Sequence, residues 1–196
     1  GKSTLLKAVF GLIKPDSGEI KIAGTPIVFG DTAGVISRGV GMVHQHFQLV
    51  PVMTVAENLI LGDEPKRGLF INQKSAREEI VALSKRYGLE VDPDAVIEDL
   101  PVGMQQRVEI LKALRKDVKL LILDEPTAVL TPQEIDELLE VIRNLAKSGV
   151  GVVLITHKLH EVMAVADRVV VLRGGKLVGT TSPKETNEAG LAQMMV

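Results

Sequence analysis

The sequence predicts one α/β domain whose central sheet is parallel in part. The chain has 196 residues, which is enough for one sizeable domain and too few for two ordinary ones. In its second half, segments with strand patterns alternate with segments that have helix patterns. The strands expected at Leu120–Leu123 and Gly151–Ile155 are apolar without interruption, which is typical of strands that are covered on both faces.

Short strands and helix-forming runs are predicted in the first half of the chain. Leu5–Phe10 follows Gly1-Lys2-Ser3-Thr4 and favours a helix, and the composition of Lys14–Gly18 indicates a turn. Ser75 and Glu78 form a capping-box pattern for the start of a later helix. The remaining expected elements are strands at Glu19–Ile22, Ile27–Phe29 and Val40–Val43, helices at Thr54–Leu61 and Ser75–Arg86, and a polar loop at Gly62–Asn72.

The clearest helix of the second half follows Thr131. Thr131 can cap this helix, Pro132 suits its first turn, and Glu134 completes a capping box. An apolar stripe at helical spacing is formed by Ile135, Leu138, Leu139, Ile142 and Leu145. The other expected elements are helices at Arg107–Lys116 and Lys158–Ala166 and strands at Arg168–Leu172 and Lys176–Val178.

The composition excludes several classes of function. Lys and Arg number 23 against 25 Asp and Glu, so the net charge of −2 argues against a dedicated nucleic-acid-binding module. The absence of Cys excludes disulfides, Cys-ligated zinc and thiol catalysis. No apolar run approaches the roughly 18 residues that a membrane-spanning helix needs. Because Gly1 rather than Met stands first, we expect the sequence to be a piece of a longer chain.

Gly1-Lys2-Ser3-Thr4 matches the end of the phosphate-binding loop pattern G-x-x-x-x-G-K-[ST]. In such loops, backbone N–H groups and a helix N-terminus cradle phosphates. Lys2 would then reach the β- and γ-phosphates, and the Ser3 hydroxyl would bind Mg²⁺. Taken alone, the four residues fit a plain helix start equally well.

Two adjacent carboxylates follow the strand Leu120–Leu123. A buried strand that delivers Asp124 and Glu125 at its carboxyl end places them at a ligand site. With a phosphate loop upstream, we expect Asp124 to hold Mg²⁺ and Glu125 to polarise the attacking water. The alternative is a pair of ordinary acids at a strand end.

One of the four histidines has a position that suggests a role in the site. His157 follows the strand Gly151–Ile155, where a γ-phosphate sensor would lie. His44, His46 and His160 are expected to be structural, since no third metal ligand stands out beside the first two. Gln45 follows the strand Val40–Val43 and carries no signal by itself.

Five segments, in this order, resemble the motifs of ABC-type ATPases along essentially the whole chain. They are similar to the Walker A tail, the Q-loop, the signature, the Walker B strand with its catalytic Glu, and the switch His, and they lie at Gly1–Thr4, Gln45, Leu100–Arg107, Leu123–Thr127 and Ile155–His157. The resemblance implies a P-loop NTPase with a RecA-like core. An antiparallel β patch is expected near the start of the chain, and a helical subdomain is expected to be inserted at about residues 52–116.

The same resemblance implies roles for individual residues and two bound cofactors, ATP and Mg²⁺. Catalysis would use Glu125, His157 and Gln45, and Mg²⁺ would contact Ser3, Gln45 and Asp124. ATP would contact the phosphate-loop residues of this domain, which are Gly1, Lys2, Ser3 and Thr4. The nucleotide of a facing domain would contact the signature residues, which are Pro101, Gly103 and Gln105.

Three segments narrow the resemblance to the ATP-binding subunits of bacterial simple-sugar and nucleoside importers: Met42–Phe47, Val102–Leu111 and Ala128–Pro132. That family usually fuses two ATPase halves, and this chain is similar to the first half. The implied partners are a second ATPase half, transmembrane permease subunits and, indirectly, an extracytoplasmic solute-binding protein, with no nucleic acid. The implied location is the cytoplasmic face of the cell membrane.

The sequence departs from the family pattern in three places. In that pattern a strand, an aromatic that stacks on adenine and the first part of the Walker A loop would precede Gly1. Pro101 replaces the signature Ser. Thr131 stands where many members have Asp, and it already has a capping role.

Other functions are weighed as alternatives. A soluble ABC ATPase of repair, chromosome maintenance or translation is one, although the short segment from Gln45 to Leu100 suits the compact helical subdomain of a transporter. A GTPase would usually show an Asn-Lys-x-Asp motif, which the sequence lacks. A catalytically inactive half is the last alternative, because Pro101 and the absent start of the loop both weaken the family pattern.

Overall fold

The computed structural model describes residues 1–62, 66–67, 70–71 and 73–196. Its helices are α1 (Lys2–Val9), α2 (Thr32–Ser37), α3 (Val55–Ile60), α4 (Gln73–Tyr87), α5 (Val102–Leu114), α6 (Pro132–Lys147), α7 (Leu159–Val165) and α8 (Glu188–Met195), with a short 3₁₀ turn at Ile97–Asp99. Its strands are β1 (Lys21–Ile22), β2 (Thr25–Pro26), β3 (Val40–Val43), β4 (Lys66–Arg67), β5 (Phe70–Ile71), β6 (Leu120–Asp124), β7 (Gly151–Ile155), β8 (Val169–Arg173) and β9 (Lys176–Thr181).

A parallel sheet in the order β3-β6-β7 lies at the centre of the fold. Val40 is paired with Leu120, and Leu120 is paired in turn with Gly151. The prediction of a parallel sheet is confirmed, and β3 and β7 have the predicted bounds. Because the three strands run the same way, their carboxyl ends meet at one edge of the sheet.

Apolar side chains cover β3 and β6 from both faces, as the uninterrupted apolar pattern of β6 predicts, but the same prediction is wrong for β7. The larger core joins the sheet to α3, α4, α5 and α6, with fully buried side chains such as Ile80, Leu111 and Leu145. The smaller core packs Leu6 and Phe10, at the start of the chain, against the sheet. The strands β3 and β6 are therefore enclosed between two apolar clusters, whereas one face of β7 is partly open, with Val153 37% exposed.

The start of α6 follows the prediction from the sequence. The Thr131 hydroxyl accepts a hydrogen bond from the Glu134 N–H, and the Glu134 carboxylate accepts one from the Thr131 N–H. Pro132 is the first helical residue, where its missing N–H costs nothing. Thr54 and Glu57 form a second capping box at the start of α3. Both helix starts are set by local sequence.

The antiparallel β patch near the start is a hairpin of β1 and β2. Its second strand lies at Thr25–Pro26, two residues before the predicted strand at Ile27–Phe29. The reason is a two-residue turn in which Ala23 and Gly24 both have positive φ, of 49° and 79°, so that Thr25 faces Ile22 directly. The Ile27 N–H still reaches the Ile20 carbonyl at 2.9 Å, which extends the pairing by one bond.

Two predicted helix starts are wrong. The helix α5 begins at Val102 rather than Arg107, because Pro101 occupies the N-cap position and its carbonyl accepts hydrogen bonds from the Met104 and Gln105 N–H groups in the first turn. The helix α4 begins at Gln73, so Ser75 lies inside the helix and does not cap it.

Two helices were not predicted, and both carry an N-cap side chain. Asp31 accepts the Gly34 N–H at the start of α2, and Asn187 accepts the Gly190 N–H at the start of α8. The expected polar loop at Gly62–Asn72 contains the antiparallel pair of β4 and β5, and its remaining residues after Gly62 lie outside the described residues. In the described part of the chain, no helix is both long and apolar enough to cross a membrane.

Candidate functional site

Residues from four parts of the chain gather at the carboxyl edge of the sheet. β3 is followed by His44 and Gln45, β6 ends at Asp124, and β7 is followed by Thr156 and His157. The N-terminus of α1 joins this edge through Ser3. Open parallel sheets bind ligands in the crevice outside the carboxyl ends of their strands, so this edge is the candidate site.

The start of α1 and the end of β6 touch directly. The Ser3 hydroxyl donates to Asp124 Oδ1 at 3.2 Å, and Asp124 is only 6% exposed. A hydroxyl oxygen and a carboxylate oxygen side by side are hard oxygen donors of the kind that Mg²⁺ prefers. The described residues contain no group of three or more His, Asp or Glu suited to hold a metal. Mg²⁺ held here would therefore take its other ligands from a side-chain amide oxygen, water or phosphate oxygens, which it commonly accepts.

The other phosphate-loop residues surround this contact. Gly1 is the N-cap of α1 and its carbonyl accepts the Leu5 N–H at 3.0 Å. Lys2 is half-buried, and Thr4 is exposed on the first turn. The first N–H groups of a helix have no partner within the helix, so this end of α1 is suited to an anion.

Glu125 and His157 form the second contact at the same edge. The Nδ1 atom of His157 lies 3.1 Å from Glu125 Oε1, and both side chains reach solvent. Glu125 has a left-handed backbone with φ of 49°, while its N–H donates to the Ile155 carbonyl at 2.9 Å. A non-glycine residue in this region costs on the order of 1–3 kcal/mol, and such residues cluster at functional sites.

A buried network holds the loop that carries His157. The Thr156 hydroxyl donates to Glu161 at 2.9 Å, and Lys158 Nζ lies 3.5 Å from the same carboxylate. Lys158 also donates to the Thr127 carbonyl at 2.8 Å, which joins this loop to the turn after Glu125. Analysis of the sequence missed Lys158 and Glu161, because Glu161 is fully buried at a helical position that its charge makes look exposed.

Gln45 and His44 follow the edge strand β3. Gln45 is exposed at the carboxyl edge of the sheet. His44 is half-buried and packs edge-on against Phe10, with ring centroids 6.5 Å apart. Burial lowers the pKa of His44, against an opposing attraction from Asp124. His44 is thus a packed residue, as the sequence predicts, in an environment that favours its neutral form.

Pro101, Gly103 and Gln105 form a separate group at the start of α5. The Gly103 N–H donates to Glu134 Oε1 at 3.1 Å, and the Gln105 side chain donates to the Leu100 carbonyl at 2.9 Å. A Cβ at position 103 would lie 2.5 Å from Glu134 Oε1, so a larger residue here would require the Glu134 carboxylate to shift. None of the hydrogen bonds found among the described residues joins this group to the contacts at the sheet edge.

A protein-family model described as "ABC transporter" matches residues 1–128. The chain belongs to the ABC transporter family. It is 49% identical over 196 residues to the nucleoside import ATP-binding protein NupA of Lactococcus lactis subsp. cremoris. It is 49% identical to the ribose import ATP-binding protein RbsA 3 of Rubrobacter xylanophilus and 50% identical to the guanosine import ATP-binding protein NupO of Bacillus subtilis.

These alignments cover the whole of this ABC transporter chain but only 39%, 40% and 38% of the three relatives. The chain therefore spans about two fifths of the length of the curated relatives that it matches.

Solved structures of ABC ATPases share the fold. The cbiO1 protein of Clostridium perfringens, part of the ABC transporter complex cbiONQ, superposes with a TM-score of 0.79 at 30% identity over 94% of this chain and 73% of that chain. The ATP-binding cassette MJ0796, solved as a dimer bound to ADP and Pi, gives a TM-score of 0.75 at 26% identity over 93% and 81% of the two chains. The expected ABC ATPase fold is confirmed.

Proposed function

We propose that this chain binds Mg²⁺-ATP and hydrolyses it as part of the motor of an ABC importer of nucleosides or simple sugars. The observation that carries the proposal is the meeting, at one sheet edge, of the Ser3–Asp124 contact and the Glu125–His157 contact. The first contact presents oxygen ligands, and the second presents a carboxylate braced by a histidine. A phosphoryl-transfer site needs both functions close together.

Each residue at the edge has a proposed task. Gly1, Lys2, Ser3 and Thr4 hold the phosphates of ATP through the first turn of α1, and Lys2 supplies a point charge to the β- and γ-phosphates. Ser3, Asp124 and Gln45 bind the Mg²⁺ ion, which when bound neutralises charge on the β- and γ-phosphates.

Glu125 accepts a hydrogen bond from the attacking water and orients it toward the γ-phosphate. His157 fixes the Glu125 carboxylate through their 3.1 Å contact and senses the γ-phosphate. The network of Lys158 and Glu161 holds the two loops at this spacing. Catalysis in this proposal depends on positioning and electrostatics, as is usual for phosphoryl transfer.

We place residues 1–196 in one ATPase domain, with a helical subdomain at about residues 52–116. The helices α3, α4 and α5 fall in this segment and pack on one another, and the same apolar core joins them to the sheet and to α6. The signature residues Pro101, Gly103 and Gln105 serve the nucleotide site of a second ATPase half. Pro101 supplies neither a hydroxyl nor an N–H to the nucleotide. We therefore expect the two nucleotide sites of the pair to differ in affinity. The weaker site would be the one formed by the partner's phosphate loop, and the site with this chain's own phosphate loop would be unaffected.

The import function is supported by the names of the three relatives, all of which are import ATP-binding proteins. These names do not favour a soluble, non-transport ABC ATPase. The partners of the motor would be a second ATPase half, transmembrane permease subunits and, indirectly, an extracytoplasmic solute-binding protein. The domain would then work at the cytoplasmic face of the membrane.

The test of the proposed function is ATP hydrolysis by the full-length protein with His157→Ala, compared with His160→Ala as the matched control. His160 is exposed on the next helix and has no place in the proposed site. We expect His157→Ala to lower kcat by about 100-fold and His160→Ala to stay near the unaltered rate. Equal rates in the two variants, or an unaltered protein that does not hydrolyse ATP, would contradict the proposal.

A further inference from the structure

The segment that follows Gln45 is held by helix side chains through its backbone. The Gln48 N–H donates to Glu109 Oε1 at 2.5 Å, and the Gln48 carbonyl accepts from Lys112 Nζ at 3.1 Å. Glu109 and Lys112 both belong to α5, three residues apart, so they lie on the same face of that helix. One peptide segment thus has its donor and its acceptor bound by the same helix.

Val50, two positions after Gln48, is held in the same way by a side chain of α3. Asn58 is fully buried, its Oδ1 accepts the Val50 N–H at 2.7 Å, and its Nδ2 donates to the Val50 carbonyl at 3.0 Å. The same Nδ2 also lies 3.1 Å from the Thr54 carbonyl at the start of α3. Residues 48–50 are therefore fastened to the helices of the inserted subdomain by four side-chain hydrogen bonds to the backbone.

Glu109 places an ionisable carboxyl at a buried position, which costs desolvation free energy. It is 6% exposed, and burial raises the pKa of its carboxyl, while the Gln48 N–H and Lys112 lower it by smaller amounts. Packing alone would favour an apolar residue at such a site, because a buried carboxylate must recover its desolvation cost from its partners. The partners it has are the Gln48 N–H and Lys112.

The bonds of Glu109 and Lys112 to the Gln48 backbone are called the clasp below. The clasp lies close along the chain to Gln45 of the proposed nucleotide site. Gln48 follows Gln45 by three positions, a tether of about 10 Å when extended. The other end of the clasp is α5, the helix that begins at Val102 after its N-cap Pro101 and carries the signature residues.

We infer that Glu109 and Lys112 are positioning residues for Gln45: by fixing Gln48 to α5, they make the placement of Gln45 at the Mg²⁺-ATP site depend on the position of the signature helix. The inference rests on the proposed function, and it assigns a role to two residues outside the motifs. Glu109 itself touches neither nucleotide nor metal and acts through the Gln48 backbone.

The test compares variants of the full-length protein by kcat, KM for ATP, and the Mg²⁺ concentration that gives half-maximal rate. Glu109→Ala leaves the Gln48 N–H without its acceptor, and Glu109→Gln keeps an acceptor. Lys112→Met releases the Gln48 carbonyl and also removes the cation near Glu109. The matched control is Glu137→Ala, which breaks an exposed ion pair between α5 and α6 through Arg107. Melting temperatures are measured for all four variants.

We expect Glu109→Ala to lower kcat about tenfold and to raise the half-maximal Mg²⁺ concentration at least about threefold, with KM for ATP nearly unchanged. Glu109→Gln should restore most of the rate, Lys112→Met should show a smaller loss of the same kind, and Glu137→Ala should show none. A purely structural role would lower the melting temperature without moving the Mg²⁺ dependence, and that result would overturn the inference. If Glu109→Ala does not fold, an unchanged Mg²⁺ dependence in Lys112→Met overturns it equally.

The proposed function and this inference fail in different ways. If the unaltered protein does not hydrolyse ATP, the proposed function is wrong. If the unaltered protein hydrolyses ATP, and Glu109→Ala retains its kcat and its Mg²⁺ dependence, then only the role of Glu109 is wrong.

Discussion

Glu125 combines an unfavourable backbone conformation with a defined hydrogen-bond partner. Its φ of 49° lies in the left-handed region, yet its N–H is bonded to Ile155 and its carboxylate to His157. These two bonds hold the residue against its conformational cost. Ser3 also has a defined partner, because its hydroxyl contact with Asp124 joins two segments that are far apart in sequence.

Lys2 is the residue whose charge should matter most for binding the nucleotide. Lys2→Ala removes a cation from the β- and γ-phosphates, so the Kd for ATP of the full-length protein should rise by about tenfold or more. Titration with a fluorescent ATP analogue measures the change. Lys7→Ala is the matched control, because Lys7 is exposed on the same helix. An unchanged affinity in Lys2→Ala would mean that the phosphates bind elsewhere.

Some residue contacts could not be predicted from the sequence, for a physical reason. Glu109 and Gln48 are 61 positions apart, and the buried Glu161 is held by Thr156 and Lys158 only once the loop has formed. Nothing local in the sequence distinguishes these acids from ordinary exposed ones. The motif residues Asp124 and Glu125 could be predicted, because they directly follow an uninterrupted apolar strand.

Among the helices and strands, the ones that local interactions determine could be predicted from local sequence patterns. The strands β3 and β7 have the predicted bounds, and the capping box places α6 correctly. The start of α5 was missed because Val102 and Gly103 are weak helix formers, while the Gly103 N–H is satisfied by Glu134 from 31 positions away. The element that carries the signature therefore depends on a contact between helices.

The capping box of α6 gives a stability prediction. Thr131→Ala removes the side-chain acceptor at the N-cap and should lower the free energy of unfolding by about 1 kcal/mol at neutral pH, as measured by urea denaturation. Thr131→Ser keeps the hydroxyl and should be close to the unaltered protein. Equal stability of the Ala and Ser variants would contradict this account of the helix start.

The Thr131–Glu134 capping box also makes the stability loss in Thr131→Ala depend on pH. A hydrogen bond from the Thr131 backbone, then one from its hydroxyl, lowers the pKa of the Glu134 carboxyl, with smaller help from Gly103. A lowered folded-state pKa favours folding at pH above the ordinary value near 4.5, and this contribution is lost as pH falls through the lowered value. The difference in stability between Thr131→Ala and the unaltered protein should therefore narrow in acid. A difference that stays constant would contradict the assignment of the hydroxyl bond.

At the scale of the whole molecule, two separate groups of residues divide the work. One group meets at the carboxyl edge of the sheet, and the other lies at the start of α5. In the proposed pair of ATPase halves, the first group serves this chain's nucleotide and the second serves the partner's. The clasp on Gln48 attaches the segment that follows Gln45 to α5, the helix whose start carries the second group.

The central claim is that Glu125 activates water at a site which binds ATP independently of it. The most direct measurement is phosphate release by full-length protein carrying Glu125→Gln, with bound ATP quantified in the same sample and Glu140→Gln, an exposed glutamate of α6, as the control. We expect Glu125→Gln to bind ATP about as tightly as the unaltered protein and to release phosphate at least about 100-fold more slowly than the unaltered protein. Phosphate release within a few-fold of the Glu140→Gln control would contradict it.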